Sequence, residues 1–265
     1  MRKLNEICGA VREKRPLIHC ITNPISIHQC ANAILAADAR PIMAEHPAEV
    51  KEITETADAL MLNLGSITDA RMQSMEISLR AAKEKRIPVV LDAVGTACSG
   101  LRREFAARLL ETAAPAIIKG NYSEIYALYR AAYRASGVDA DSALTEEEVQ
   151  EAAGGLARKY NTTVLASAKT DIVTDGTRYL LIRNGTPQLA SVTGTGCMLG
   201  ALCGVYLTVC PGMEAAAAAC AVLGACGQIS ETPKGSGTFM VNLLDALSTA
   251  DGTQLEKLTD MEEIS

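Results

Sequence analysis

Residues 59–95 read ALMLNLGSITDARMQSMEISLRAAKEKRIPVVLDAVG, and the fold follows from them. Residues 59–64 form a nearly continuous apolar run closed by Gly65-Ser66, and residues 69–85 carry a helical pattern. Residues 88–91 (PVVL) are a second apolar run that ends on Asp92. Strands without polar alternation are buried on both faces, and a helix between two of them makes a parallel βαβ unit.

The same rhythm extends outward. Upstream, the pattern predicts a strand over 17–22, a helix from Pro24 to about Ala37, a strand over 41–44 and a helix over 47–57. Downstream, it predicts a helix over 102–112, a strand over 116–119 and a helix over 123–134. Residues 135–144 are small and polar, a loop rather than a domain linker, and Thr145-x-x-Glu148 is a capping box opening a helix to about Tyr160. Short strands over 163–167, 171–174 and 179–183, with Asp175-Gly176 and Asn184-Gly185 turns, predict antiparallel additions at one sheet edge. The expected architecture is one α/β domain over 1–265: a three-layer αβα arrangement with a mostly parallel central sheet and helices on both faces.

Composition narrows the function. The 265 residues carry 25 basic against 31 acidic side chains, a net charge of −6, with 3% aromatics and no Trp. An acidic chain without basic runs or stacking rings argues against nucleic acid or an anionic membrane as partner. Nine cysteines form no CxxC pair, and the three histidines lack zinc-finger spacing. The opening MRKLNEICGAVREKRP has no apolar leader pattern, so a reduced, cytoplasmic protein is expected, with most thiols acting as small core residues. Residues 184–213 carry no charge, but the apolar run 197–210 is too short to cross hydrocarbon and Pro211-Gly212 interrupts it before 215–229. Two buried helices joined by a tight turn are expected there.

Chemistry concentrates in VTGTGCMLG, residues 192–200, where small residues run into an apolar helix. Such a start gathers unpaired N–H groups and the positive end of the helix dipole, a site suited to phosphate. The spacing is neither the dinucleotide GxGxxG nor a P-loop. Cys197 falls in the first turn, where the dipole is expected to lower the thiol pKa so that it exchanges a proton near neutral pH. Asp92 ends a strand at the face where α/β sheets collect ligands, a position suited to Mg²⁺ bridged by water to phosphates. Lys119-Gly120-Asn121 repeats the arrangement on the next strand, with Glu124 one helical turn later. His19, within an apolar run, reads as a core histidine, and Met43 as strand packing.

Together PLIHCITN (16–23), PIMA (41–44), LNLG (62–65), PVVLDAVG (88–95), IKGNYSEI (118–125), VTGTGCMLG (192–200) and KGSGTF (234–239) resemble the hydroxyethylthiazole kinases of the ribokinase-like superfamily. The resemblance runs from about Pro16 to Leu247 and implies ATP-dependent phosphorylation of 4-methyl-5-(2-hydroxyethyl)thiazole in thiamine salvage, by a homotrimer with thiazole at the subunit boundary. It implies that Met43 and Gly194 contact the thiazole with Asn23 nearby, and that Lys119 and Ser167 touch ATP. Thr195 and Gly196 would offer amides to the phosphoryl group, and Asp92 and Glu124 would stand around Mg²⁺. Cys197 would take the place of the Asp base of related sugar and pyrimidine kinases, and a protonated thiol is the poorer base, which implies a slow enzyme.

Three departures from the family pattern lie on the nucleotide side: Ala93 replaces Pro in DPVG, Lys119 replaces Arg in RGN, and Ser167-Ala168-Lys169 replaces TGE. The alternatives are a related kinase of another small alcohol, or a thiazole-binding protein weakened in catalysis. Retained Asp92, Glu124 and GTGC argue against pure binding, and the lack of GxGxxG after the first strand argues against a dehydrogenase.

Overall fold

The computed structural model describes residues 2–130, 132–133 and 144–264. In chain order the elements are α1 (Leu4–Lys14), β1 (Leu17–Ile21), α2 (Ile27–Ala36), β2 (Arg40–Ile42), α3 (Val50–Thr56), β3 (Ala59–Asn63), α4 (Asp69–Lys85) and β4 (Val89–Asp92). Then come α5 (Gly100–Thr112), β5 (Ile117–Asn121), α6 (Tyr122–Tyr129), α7 (Glu146–Tyr160), β6 (Thr163–Ser167), β7 (Asp171–Thr174) and β8 (Tyr179–Ile182). The chain closes with α8 (Thr195–Leu207), α9 (Gly212–Ile229), α10 (Ser236–Thr249), α11 (Gly252–Leu258) and β9 (Met261–Ile264).

Among the described residues these strands make one nine-stranded sheet in the order β2-β1-β3-β4-β5-β6-β7-β8-β9. Pairing is parallel from β2 through β6, and β7, β8 and β9 add antiparallel at one edge. The predicted βαβ rhythm and antiparallel edge are therefore both present. Alternate strand residues feed two separate cores. Met61, Val90 and Ile117 pack with α1, α2 and α8–α11, while Leu60, Leu91 and Ile118 pack with α3–α7. That two-sided burial is why runs such as Ala59–Leu62 and Val89–Leu91 are apolar without alternation.

Thr145 caps α7 with both reciprocal bonds of its capping box. The apolar α8 and α9 pack against each other and the sheet. By length and composition alone α9 could cross a membrane, yet 78% of it is buried in the fold. His19 is a satisfied core histidine, with Nδ1 2.9 Å from Thr54 Oγ1 and Nε2 2.9 Å from the Ala44 carbonyl. The nine cysteines are free.

Some boundaries differ from the sequence pattern. α2 begins at Ile27 rather than Pro24, because Asn23 Oδ1 accepts the N–H groups of Ile25 and Ser26 at 3.1 Å and holds a turn there. β2 ends at Ile42, so Met43 lies past the strand. α6 ends at Tyr129, where Arg130 turns extended, and residues 131 and 134 of the helix predicted over 123–134 lie outside the described residues. The loop predicted over 135–144 lies, apart from Leu144, outside the described residues.

Candidate functional site

Three polar side chains stand in register on adjacent parallel strands: Asn63 ends β3 opposite Asp92, which ends β4 opposite Lys119, while β5 continues past the expected end at Lys119 to Asn121. Two residues earlier on each strand stand Met61, Val90 and Ile117, which face α8. Side chains alternate along a strand, so the row Asn63, Asp92, Lys119 faces α8 as well. All three are buried, with Asn63 and Asp92 fully inaccessible.

The amino end of α8 closes over that row. Gly194 precedes it at φ +94°, a conformation glycine takes without strain, and no side chain caps the helix. The close approach is visible at two glycines. A Cβ on Gly196 would stand 3.5 Å from Lys119 Nζ, and one on Gly200 3.1 Å from Asp92 Oδ2. Lys119 Nζ donates to Asp92 Oδ1 at 3.1 Å, and Asn63 Nδ2 donates to Asp92 Oδ2 at 2.8 Å. Cys197 Sγ receives Asn63 Nδ2 at 3.2 Å and Asn23 Nδ2 at 3.5 Å. An ammonium, a helix amino end and a thiol thus converge at the carboxyl edge of the sheet. That arrangement suits an anionic group transferred to an acceptor held beside Cys197.

Burial sets the protonation states. It pushes the Cys197 thiol up from its ordinary value and Asp92 pushes the same way, against Lys119 and hydrogen bonds from Ser26 and Asn63. This corrects the expectation from the helix dipole: the thiol is protonated at neutral pH, because a desolvated sulfur near a carboxylate outweighs one helix end. Burial pulls Lys119 down, but Asp92 and Glu124 outweigh it and hold the ammonium above its ordinary value. Burial lifts Asp92, with Lys119 and Asn63 drawing it back.

Glu124 sits beside this pair. Its Oε1 accepts Gly95 N–H and its Oε2 accepts Asn121 N–H, each at 2.7 Å, so it ties the β4–α5 loop to the start of α6. Burial lifts its pKa from 4.5 to about 7, although Lys119 pulls against it. A carboxyl raised on folding adds stability in full below pH 4.5, and that stability is lost as pH rises through about 7. Denaturant unfolding between about pH 5 and about pH 8 should therefore show a downward contribution that Glu124→Gln flattens. An identical slope in wild type and variant would remove Glu124 as its source.

The structure brings Asn23, Asp92, Lys119, Gly196 and Cys197 together, with Glu124 adjoining. Three other sequence candidates stand apart from that bonded group. Met43 is half-buried against the apolar layer on the α8 face. Ser167 ends β6 opposite Asn121, with Oγ donating to the Gly120 carbonyl at 3.3 Å. Thr195 donates its hydroxyl to the Leu189 carbonyl at 2.9 Å, which leaves the backbone amide as its free donor for an anionic ligand. Sequence reasoning passed over Asn63. Its signal was the same as that of Asp92, a polar residue ending an apolar strand.

Known proteins match this chain along its length. The model of the hydroxyethylthiazole kinase family matches residues 8–252. A hydroxyethylthiazole kinase of Clostridium botulinum is 42% identical over 259 residues, covering 96% of this chain and 98% of the relative. The solved hydroxyethylthiazole kinase of Pyrococcus horikoshii superposes with a TM-score of 0.90 at 32% identity, covering 99% of both chains. A ribokinase-like superfamily protein of Enterococcus faecalis, 12% identical with 94% of both chains covered and a TM-score of 0.66, shares the fold.

Proposed function

The chain belongs to the hydroxyethylthiazole kinase family, and from that premise we propose that it transfers the γ-phosphoryl group of ATP to the hydroxyl of 4-methyl-5-(2-hydroxyethyl)thiazole, as a single kinase domain over 1–265. The observation that carries the reading is the meeting of Lys119, the amino end of α8 and Cys197 over one row of strand ends.

Phosphoryl transfer needs positioning and charge neutralisation more than covalent help from the protein. The ATP phosphates approach the amino end of α8, where the amides of Gly194–Cys197 and the Lys119 ammonium offset charge on the transferred group. Asp92 holds Lys119 in place and keeps it charged. The thiazole alcohol lies on the Cys197 side, near Gly194, Asn23 and Met43, and the thiol orients its hydroxyl. Because the thiol is protonated, it abstracts the proton poorly, which supports slow turnover. Ser167 stands on the nucleotide flank, with Thr195 and Gly196 contributing amides.

Mg²⁺ fits this site in one manner. No cluster of three acidic, His or Cys ligands exists among the described residues, and each oxygen of Asp92 and Glu124 already accepts one hydrogen bond. Such acids suit a hydrated ion that arrives with phosphates, held through water by Asp92 and Glu124, where its charge would offset that of the phosphates.

Ile25, Leu35 and Val241, each more than half exposed, lie before and on α2 and on α10, two helices that pack together. Apolar side chains left there support a homotrimer with the acceptor site at the subunit boundary. The acidic surface and free thiols support a cytoplasmic location. The test is direct: purified protein with ATP, Mg²⁺ and the thiazole alcohol should release ADP and thiazole phosphate. ADP no higher than in the control without alcohol would refute the kinase reading.

A further inference from the structure

Asn63 has an environment that holding the sheet together does not require. It is fully buried at the end of β3, and one amide serves four partners. Oδ1 accepts Gly65 N–H at 2.9 Å and Asn23 Nδ2 at 3.1 Å, while Nδ2 donates to Asp92 at 2.8 Å and to Cys197 Sγ at 3.2 Å. These partners permit one orientation. The Gly65 N–H can only donate and the Asp92 carboxylate can only accept, so a flipped amide would set N–H against N–H and oxygen against oxygen. Gly65 has no room for a side chain, since a Cβ there would lie 2.7 Å from Asn23 Nδ2 and 2.9 Å from Asn63 Oδ1. The chain backbone itself therefore backs the two asparagines.

We propose that Asn63 is a positioning residue for the phosphoryl transfer: a single locked amide fixes Asp92, which holds Lys119, relative to Cys197, which meets the acceptor hydroxyl. The inference rests on the kinase reading above. Asp92 ends β4 and Cys197 opens α8, and Asn63 gives one N–H to each. Its second effect is on the sulfur. Asn63 and Asn23 both donate to Sγ, and with Ser26 also bonded to it the sulfur is held in one place beside the acceptor hydroxyl.

Two substitutions separate this role from a structural one. Asn63→Asp keeps the volume and the oxygen that receives Gly65 N–H and Asn23, but it loses both donors and sets a second carboxyl against Asp92. Asn63→Ala loses both halves. If Asn63 positions the reacting groups, kcat falls roughly 10²-fold in both variants, while KM for ATP and for the thiazole alcohol stays within about threefold of wild type. If it only secures the turn at Gly65, Asn63→Ala, which sets no charge against Asp92, melts lower but keeps kcat near the wild-type value, and the proposal is wrong. It is equally overturned if the loss appears in KM alone, or if neither variant folds by circular dichroism and thermal melting. Absence of turnover in the wild-type protein would instead bring down the kinase reading, and this inference with it.

Discussion

Cys197→Asp should turn over the thiazole alcohol at least about tenfold faster than the wild-type protein at neutral pH, and should melt at a lower temperature. The gain follows from protonation. A thiol raised above its ordinary value of 9.0 is almost wholly S–H at neutral pH, so the wild-type protein forgoes most of what a general base can supply. General-base catalysis is worth roughly 10²–10⁴-fold when the base is positioned and unprotonated. The position is already arranged for a carboxylate. Asn63 and Asn23 aim N–H donors at it, and an ionised Asp is an acceptor only. The cost comes from Asp92, whose charge already raises the thiol, because a second carboxylate nearby adds like-charge repulsion that Lys119 offsets in part. The measurements are kcat with both substrates saturating and the melting temperature. A folded but inactive variant would show that the sulfur has a role a base cannot replace.

How much of this was legible in the sequence varies with the residue. Asp92 and Lys119 could be found because a charged residue that follows an apolar run, at the end of β4 or within β5, has no packing reason to be there. Asn63 ends its strand in the same way, but it brings no charge, and its value lies in partners from β4, α8 and the turn after β1 that meet only in the fold. Cys197 could be placed in the first turn of α8 from TGTGC alone. Its protonation could not, because burial and Asp92, distant in sequence, outweigh the helix dipole that the local pattern suggests. The same division holds for the architecture. The buried strands β3 and β4 announce themselves by apolar runs, whereas β9 (MEEI) has no such pattern. It pairs with β8 through backbone bonds and through ion pairs from Arg178 to Glu263 and from Arg183 to Glu262. Neither interaction leaves a period in the sequence.

Lys119→Met should nearly abolish turnover and also destabilise the protein, and a second substitution can separate the two effects. Lys119 and Asp92 form an ion pair of 3.1 Å with side chains that are 5% and 0% exposed. Removing one member of such a pair leaves a buried charge without its partner, at a cost of about 3–5 kcal/mol. Burial then lifts Asp92 further, since Lys119 is the main influence drawing it back. Adding Asp92→Asn removes the remaining charge, while the amide it introduces still offers an oxygen to Asn63 Nδ2. About half or more of the lost stability should return, because a buried pair replaced at both ends is far less costly than a broken one. Activity should not return. The ammonium lies beside Gly196 at the amino end of α8, and a neutral Met there leaves charge on the transferred phosphoryl group without its cation. A loss on the order of 10²–10³-fold in kcat is expected in the single and the double variant alike, by analogy with the removal of one stabilising donor from an enzyme's anion site. Denaturant unfolding and kcat measured on the same preparations decide the matter. Turnover that recovers together with stability would mean that Lys119 serves the fold alone, and that the charge on the phosphoryl group is met elsewhere.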